Sequence, residues 1–169
     1  GSSNGLVIIK SDKDLLLFFK KLKKFINSFK KNEKFLIEEY ISGKELTVSV
    51  IKNKLNYESL EVTEIVSLNK TYDYQAKYTK GFSEHFIPAR ISKKNHKQCL
   101  ELSLKIHKIF KCNTLSRVDF ILSKKENKIY FLEINSQPGM TKLSLLPEQA
   151  AFKKISFEKI VLELINNSI

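Results

Sequence analysis

The stretch Phe131-Leu-Glu-Ile-Asn-Ser-Gln-Pro-Gly-Met-Thr-Lys-Leu-Ser144 decides how the chain is interpreted. Its first half is typical of a strand that ends with a carboxylate and an amide two residues apart, Glu133 and Asn135. Side chains at i and i+2 of a strand point to the same face, so these groups present oxygen atoms side by side. Such oxygen donors are the ligands that magnesium prefers. A Pro-Gly turn follows at once, and the backbone N–H groups of such a turn suit an anion or an oxyanion.

The strand before this stretch has one apolar face and one polar face. The segment Ser116-Arg-Val-Asp-Phe-Ile-Leu-Ser123 alternates along its whole length, and Arg117 and Asp119 share the polar face. The connection to the next strand, residues 124–128, is polar and short, which predicts an antiparallel hairpin. The residues expected to face the core are Val118, Phe120 and Leu122.

The register of this hairpin decides whether its polar side chains meet. A loop centred on Glu126 places Asp119 opposite Glu133. The same register places Arg117 opposite Asn135. Directly opposed Cβ atoms are about 4.5–5.5 Å apart, and carboxylates that close repel unless a cation or a proton lies between them. A solvated polar face is the alternative for an isolated hairpin, but the arginine and the Pro-Gly turn at the same strand end favour magnesium-bridged phosphate chemistry.

Hydrophobic periodicity divides the rest of the chain into helices and strands. The segment from Ser11 to Asp14 resembles a capping box, and a helix with an apolar core stripe follows to about Phe29. Residues 67–83 lose this periodicity, which indicates a long loop. The irregular alternation of strands and helices predicts an α+β fold with a mainly antiparallel sheet flanked by helices. The other predicted elements are strands at about 34–41, 45–52, 57–66 and 84–89 and helices at about 93–111, at Pro147 and from Ser156.

The composition is that of a globular protein with a strong positive charge. Among 169 residues, 42% are hydrophobic and the formal net charge is +12. Only Arg90 and Arg117 are arginines, the residue type that base recognition favours, so we expect no nucleic-acid partner. No apolar run approaches the ~20 residues that span a bilayer, so we expect no membrane partner. Cys99 and Cys112 fit neither a metal motif nor a disulfide framework, which predicts reduced thiols and a cytoplasmic location.

Four segments resemble, in the same order, motifs of the D-alanine–D-alanine ligase family of the ATP-grasp superfamily. They are GSSNGL at 1–6, IEEYISGKELTVSV at 37–50, TYDYQAKYTKG at 71–81 and SRVDF…YFLEINSQPGMTKLSLLP within 116–147. The resemblance runs essentially the whole length of the chain and implies the C-terminal half of an ATP-grasp fold. It implies that residues 1–38 form the tail of the central subdomain and that residues 39–169 form the C-terminal subdomain with the nucleotide, magnesium and second-substrate sites.

The resemblance implies a binding site for the adenine and ribose of ATP. The segment from Glu38 to Ile41 would line the adenine pocket, where the backbone groups of Glu39 and Ile41 would contact the edge of the base. Tyr40 would form part of the pocket wall, although a plain core aromatic is the alternative. Glu45 would accept hydrogen bonds from the ribose hydroxyls, whereas alternation alone makes it an ordinary surface carboxylate.

The resemblance also assigns residues to the phosphates. Ser2, expected to be catalytic, and Ser3, expected to bind the nucleotide, belong to a loop that would cover the phosphates; a tag remnant is the alternative for this Gly-Ser sequence. Lys77 would reach the γ-phosphate, where a mobile point charge suits phosphoryl transfer. Tyr78 stands where family members that use an amine as acceptor have tyrosine, which indicates D-alanine as the second substrate.

The implied activity is the ATP-dependent ligation of two D-alanine molecules through an acyl phosphate. Asp119, Glu133 and Asn135 would hold magnesium, with manganese as the alternative metal. Arg117 and the backbone N–H of Gly139 would stabilise the oxyanion of the tetrahedral intermediate.

The second substrate and the extent of the chain complete the expectations. Ser144, with the backbone N–H of Leu145, would bind the carboxylate of the second D-alanine. Family members have an N-terminal domain and the first half of the central domain before the GSSNGL loop. We therefore expect a fragment that is inactive alone, whose partner is the remaining N-terminal half and whose full-length enzyme is a homodimer. Another ATP-grasp carboxylate–amine ligase and a basic, non-enzymatic binding module are the alternatives.

Overall fold

The structure, a computed structural model, describes residues 7–25, 36–67, 83–141 and 143–167. The chain divides into two compact units, the N-terminal unit Gly1–Ile41 and the C-terminal unit Ser42–Ile169. Within the described ranges, no helix is both long enough and apolar enough to cross a membrane.

The N-terminal unit contains helix α1, Asp12–Phe25. Ser11 caps this helix as predicted, because its Oγ accepts the backbone N–H of Asp14 at 3.2 Å. The second bond differs from that of a capping box, because the Asp14 carboxylate accepts the N–H of Lys10 at 3.1 Å and not that of Ser11. The predicted apolar stripe is not a buried core in the described part of this unit, since Leu15 is 38% exposed. The predicted end of the helix lies outside the described residues.

The strand predicted at about 34–41 is wrong for the part that the structure describes. Residues 36–41 form no strand, and the side chains of Leu36 and Ile37 are 82% and 92% exposed. A strand requires a ladder partner, and within the described ranges these residues have none. The first strand of the described ranges begins instead at Gly43, between the two strands predicted at 34–41 and 45–52.

The C-terminal unit is built on a six-stranded sheet in its described part. The strand order is β4-β3-β1-β5-β6, and β2 also pairs with β1. All of these strand pairs are antiparallel, which confirms the predicted α+β class with a mainly antiparallel sheet. The strands are β1 Gly43–Asn53, β2 Asn56–Ser59, β3 Thr63–Ser67, β4 Ser83–Phe86, β5 Leu115–Ser123 and β6 Ile129–Asn135.

Strand β1 is the centre of the sheet. One of its edges pairs with β5 from Gly43 to Ile51. The other edge pairs first with β3 and then with β2, so the single strand predicted at 57–66 is broken in two. Gly43 lies so close to β5 that a Cβ atom would come within 2.2 Å of the Leu122 carbonyl oxygen. Only glycine fits there without a shift of the backbone.

Helices cover both faces of the sheet. Helix α2, Lys93–Ile109, packs on one face, and helices α3, Leu145–Phe152, and α4, Phe157–Asn166, pack on the other. The three β5 residues predicted to face the core are buried on the α2 face, which confirms that prediction. The buried apolar residues are Leu46, Val48, Val62, Ala89, Cys99, Val118, Phe120, Leu122 and Ile129 on the α2 face and Ile51, Leu60, Leu115, Leu146, Ala150 and Ile160 on the other.

Serine side chains set the starts of two helices, as the sequence predicts. Ser92 Oγ accepts the N–H of Asn95 at 3.2 Å, and Ser156 Oγ accepts the N–H of Lys159 at 3.2 Å. Each bond satisfies one of the backbone donors that the first turn of a helix leaves open.

A buried carboxylate joins β3 to the start of β1 and to the segment after β4. Glu64, 3% exposed, accepts hydrogen bonds from Arg90 Nε and Nη2 at 3.0 Å each and pairs with Lys44 at 3.1 Å. Burial opposes the charged form of Glu64, but these hydrogen bonds outweigh burial and lower the pKa of the carboxyl below its usual value. The network therefore holds a charged group inside the sheet.

Candidate functional site

The polar ends of β5 and β6 lie in the predicted register. Asp119 pairs with Glu133, and Arg117 pairs with Asn135. Directly opposed side chains of an antiparallel pair point to the same face, so the four polar groups share one face of the sheet. It is the face away from α2, because Val118, which alternates with them, is buried in the core on the α2 face. The predicted hairpin register is confirmed.

A β-bulge separates the site end of this hairpin from its turn end. Phe120 pairs with Phe131, whereas its neighbour Asp119 pairs with Glu133. Leu132 is therefore the extra residue, and its side chain is 51% exposed. In a regular strand Glu133 would share the face of Phe131, which is the core face. The bulge turns Glu133 to the face of Asp119, and no pattern in the sequence predicts this bulge.

Arg117 supplies a positive charge directly beside Asp119. Its Nη2 donates to Asp119 Oδ2 at 2.8 Å, and its Nε donates to Oδ1 at 2.9 Å. A longer contact of 3.3 Å joins Nε to Oδ2. The two side chains are 17% and 19% exposed, so solvent screens the pair only in part. The repulsion expected between two opposed carboxylates is thus relieved at Asp119 by a guanidinium on the same strand.

Strand β1 places two buried hydroxyl groups beside this ion pair. Thr47 lies opposite Asp119, and its Oγ1 donates to Asp119 Oδ1 at 2.6 Å. Ser49 lies opposite Arg117, and its Oγ has no hydrogen-bond partner among the described residues. Both side chains are fully buried. The sequence signal for this pair is the alternation of small hydroxyl residues with valines along β1.

The oxygen donors of this face fit a magnesium or manganese ion by their chemistry. The Glu133 side chain is exposed and makes no hydrogen bond or ion pair with a described residue. Asn135 Oδ1 accepts the N–H of Gln137 at 3.0 Å and keeps a second lone pair. Carboxylate and amide oxygens are the donors that hard divalent cations take. This donor set is two carboxylates and one amide, and the described ranges contain no cluster of three or more His, Cys, Asp or Glu side chains that could hold a metal.

The turn after β6 brings hydroxyl groups next to Gly139. The backbone N–H of Thr141 donates to Ser144 Oγ at 3.1 Å, and the two hydroxyl oxygens are 2.9 Å apart. A Cβ atom on Gly139 would lie 2.7 Å from Ser144 Oγ. Glycine therefore allows the turn to approach the Ser144 hydroxyl, and the predicted turn residues form one cluster.

The start of α3 leaves backbone donors without a side-chain cap. Ser144 is the N-cap residue in an extended conformation, but its side chain makes no capping hydrogen bond because it contacts Thr141 instead. Pro147 stands in the first turn, as predicted, and lacks an N–H. The backbone donors of Leu145 and Leu146 remain at the positive end of the helix, which is the arrangement that binds a carboxylate.

Gln149 joins α3 to the sheet behind this cluster. The side chain is fully buried, and its Oε1 accepts the N–H of Ser49 at 2.8 Å. Its Nε2 donates to the Thr47 carbonyl at 3.2 Å and to Thr63 Oγ1 at 2.9 Å. These bonds fill the gap where β1 changes partner from β3 to β2, so buried backbone groups stay paired there. No local sequence pattern indicates this role, which depends on residues about a hundred positions away.

The predicted adenine segment and the predicted ribose ligand belong to different units. The segment lies in the N-terminal unit, where it has no regular secondary structure. Glu45 lies on β1 in the C-terminal unit, half-buried and on the face of Thr47. The members of the segment are the exposed Glu38, Glu39 and Tyr40 and the half-buried Ile41.

Four other predicted site residues lie outside the described residues. They are Ser2, Ser3, Lys77 and Tyr78. Their assignments stay predictions.

Two histidines form contacts that no sequence pattern predicts. His85 Nδ1 lies 2.7 Å from Glu148 Oε2 and links β4 to α3. His107 is fully buried between the Tyr57 ring and Ser116, whose Oγ lies 2.8 Å from Nδ1. Burial lowers the pKa of His107 below its usual value of 6.5, because it penalises the charged imidazolium.

Comparison with known proteins identifies relatives over the whole chain. A D-alanine–D-alanine ligase from Wolbachia pipientis wMel is 44% identical over 170 aligned positions, which cover 100% of this chain and 51% of the relative. The ligase of the same name from Halalkalibacterium halodurans is 37% identical, and the aligned region covers 100% of this chain and 53% of that relative. The chain thus spans about half the length of the curated relatives it matches.

Solved structures and a family model give the same result. The crystal structure of a D-alanine–D-alanine ligase from Bacillus anthracis superposes with a TM-score of 0.73 at 27% identity. The superposed region covers 99% of this chain and 51% of the B. anthracis chain. A structure of the B. anthracis ligase complexed with ATP gives a TM-score of 0.71 at 26% identity, with 97% and 50% covered. The family model described as D-ala D-ala ligase C-terminus matches residues 1–166. The chain therefore belongs to the D-alanine–D-alanine ligase C-terminal family.

Proposed function

We propose that this chain forms the divalent-cation and acceptor part of an ATP-dependent D-alanine–D-alanine ligase. The observation that carries the proposal is the in-register placement of carboxylate, amide and guanidinium groups on one sheet face, in a chain of this ligase family. The whole enzyme would join two D-alanine molecules in the cytoplasm for the synthesis of a peptidoglycan precursor, and would be a homodimer.

The proposed reaction has two steps. The carboxylate of the first D-alanine attacks the γ-phosphorus of ATP, which forms an acyl phosphate and releases ADP. The amine of the second D-alanine then attacks the acyl carbon and loses a proton, and phosphate leaves. Protein groups must therefore neutralise phosphate charge in the first step and stabilise an oxyanion in the second.

Asp119, Glu133 and Asn135 would hold the divalent cation, magnesium or alternatively manganese. When bound, the cation supplies positive charge next to the phosphate oxygens. Glu133 has no described partner to give up. Asp119 would bind while still paired with Arg117, because the bonds at 2.8 Å and 2.9 Å leave a lone pair on Oδ2.

Arg117 and the backbone N–H of Gly139 would stabilise the oxyanion of the tetrahedral intermediate. Support comes from the way Arg117 is held, since Asp119 fixes the orientation of its guanidinium through two atoms. A guanidinium that is oriented before the substrate binds loses little conformational freedom during the reaction.

Ser144 and the backbone N–H of Leu145 would bind the carboxylate of the second D-alanine. The helix start at this point lacks a side-chain cap, so its backbone donors and its positive dipole end are available to an anion. The hydroxyl of Ser144 is oriented by Thr141, and Gly139 leaves room for it.

For ATP itself, the proposal rests on the family membership. The Glu38–Ile41 segment would contact adenine, Glu45 the ribose, and Ser2, Ser3 and Lys77 the phosphates. Tyr78 would favour an amine as acceptor.

The test uses a chimera in which this chain replaces the matching half of the W. pipientis wMel ligase. We expect formation of D-alanyl-D-alanine with equimolar release of ADP and phosphate. We expect no dipeptide from the chain by itself. Phosphate release with a different amine acceptor and none with D-alanine would replace this proposal by another carboxylate–amine ligase. A folded chimera without ATP binding, together with steeply salt-dependent binding of nucleic acid, would replace it by a basic binding module.

The role of Arg117 is tested in the same chimera. Arg117→Ala should lower kcat by about a hundredfold or more, the usual loss on removal of an oxyanion donor, while the Kd for ATP changes far less. Arg117→Lys keeps the charge but not the forked geometry, so its kcat should lie between those of the unsubstituted chimera and Arg117→Ala. Equal losses in kcat and in ATP affinity would contradict the assignment.

A further inference from the structure

We propose that Thr47 is a positioning residue that orients the Asp119 carboxylate toward the divalent cation. This inference rests on the proposed function, because it concerns the same cation site. Thr47 lies on β1, outside the turn after β6 and the start of α3, and the sequence motifs assign it no role.

The hydrogen bond between Thr47 and Asp119 is short and partly buried, and its donor serves no other acceptor. Thr47 lies directly opposite Asp119 in the ladder between β1 and β5, and its Oγ1 donates to Oδ1 at 2.6 Å. The Thr47 side chain is fully buried. A hydroxyl has one proton to donate, so this proton is committed to the carboxylate. Hydrogen bonds to ionised groups are among the stronger ones in proteins.

This bond decides which oxygen of Asp119 remains for a cation. Oδ1 accepts from Thr47 at 2.6 Å and from Arg117 Nε at 2.9 Å, which uses both of its lone pairs. Oδ2 accepts Arg117 Nη2 at 2.8 Å and keeps a second lone pair, which the 3.3 Å contact from Nε uses only weakly. Thr47 and Arg117 therefore hold the carboxylate in one rotation, with Oδ2 as the oxygen for the cation.

Gln149 and Thr63 hold the backbone of Thr47 on the β3 side of β1. Gln149 Nε2 donates to the Thr47 carbonyl at 3.2 Å and to the hydroxyl of Thr63 at 2.9 Å. Thr63 is the direct ladder partner of Thr47 on β3 and is equally buried. The hydroxyl that orients Asp119 thus sits on backbone that packing and hydrogen bonds hold rigidly.

The experiment measures Mn²⁺ binding by electron paramagnetic resonance on the purified chain and on the chimera. Thr47→Val removes the hydroxyl and keeps the shape, and we expect its Kd for Mn²⁺ to rise about tenfold or more, the usual effect of losing a group that orients a metal ligand. Thr47→Ser should restore the affinity of the unsubstituted protein. Ser103→Ala is the control, because it removes an equally buried hydroxyl that donates to the Cys99 carbonyl within α2 and has no part in this network; its Kd should stay unchanged.

Each outcome decides the inference. Equal Mn²⁺ affinity of the Thr47→Val and unsubstituted proteins would overturn it while the cation site stands. Equal losses in Thr47→Val and Ser103→Ala would overturn it in favour of a general packing effect. If Thr47→Val does not fold, Thr47→Ala is used in its place with the same expectation. Absence of Mn²⁺ binding by both unsubstituted proteins would overturn the cation site itself, and the inference with it.

Discussion

Replacing Gln149 by methionine keeps the size of a buried side chain and removes its hydrogen bonds. In the structure the amide accepts from the Ser49 N–H at 2.8 Å and donates to the Thr47 carbonyl at 3.2 Å and the Thr63 hydroxyl at 2.9 Å. All four residues are fully buried, so water does not replace the lost partners. Gln149→Met therefore leaves a backbone N–H unpaired inside the sheet.

The size of the effect follows from which partners can find another bond. A buried donor left without a partner costs about 1–3 kcal/mol, and this applies in full to the Ser49 N–H. The Thr63 hydroxyl can rotate, and the Thr47 carbonyl loses the longest of the three bonds, so each adds less. We expect the free energy of unfolding to fall by about 2–4 kcal/mol in total.

Urea unfolding followed by circular dichroism measures this change. Gln98→Met is the matched control, because Gln98 is exposed on α2 and its replacement should change stability by less than about 0.5 kcal/mol. A Gln149→Met protein that stays within that margin of the unsubstituted one would refute the reasoning, since it would mean that the buried amide contributes nothing.

A second substitution at the same site adds a pH signature. Gln149→Glu keeps an acceptor for the Ser49 N–H but turns a second oxygen toward the Thr47 carbonyl. Burial disfavours the ionised carboxyl and raises its pKa in the folded state, while the protonated form can still donate. The deficit in stability should therefore be smallest below about pH 4.3, the unfolded value, and should grow as the pH rises through the folded pKa. A deficit independent of pH would contradict this account.

Two further predictions concern buried titratable groups. The pKa of His107 is lowered by burial, so its contribution to stability is complete above pH 6.5 and is lost as the pH falls toward the folded pKa. Between pH 7 and 5 the free energy of unfolding, measured with urea, should therefore fall less steeply in His107→Asn than in the unsubstituted protein, by up to about 1.4 kcal/mol per pH unit. The same slope in both proteins would contradict this prediction. Burial raises the pKa of Cys99 to about 12, and Cys99 is fully buried. Iodoacetamide at neutral pH should therefore label the half-buried Cys112 first and Cys99 only after unfolding, as mass spectrometry would show; faster labelling of Cys99 would contradict its burial.

The sequence predicted the parts of the fold that depend on local patterns. Alternation along β5 identified Val118 and Phe120 as core residues, and serine caps located the starts of α2 and α4. The register of Asp119 with Glu133 was also correct, although the regular hairpin assumed for it was not. The prediction placed the centre of the loop at Glu126, half a residue later than the pairing at the turn end has it. The extra residue Leu132 makes up this difference, so that Asp119 still pairs with Glu133.

The parts that failed depend on partners far away in the chain. No pattern in residues 57–66 predicts that β1 changes its partner strand from β3 to β2. The break between these two strands is filled by the side chain of Gln149 from α3, which is distant in sequence. The strand predicted at 34–41 had the composition of a strand, but residues 36–41 have no ladder within the described ranges. The hydroxyl of Thr47 became significant only once β5 was placed beside β1. In each case the local pattern indicates a tendency to form a strand or a polar contact, and residues distant in sequence decide whether it forms.

The bulge at Leu132 has a consequence for protein engineering. Backbone idealisation, as practised in design, would continue the register of the turn end without a break, so that Leu132 would lie opposite Asp119 and Glu133 opposite Val118. The regularised ladder would turn Glu133 to the buried face of Val118, on the α2 side of the sheet. Burial of this carboxylate would lower stability, and the cation site would lose one of its oxygen donors. Redesigns of this chain for robustness should therefore keep residues 131–133 fixed and seek their gains elsewhere.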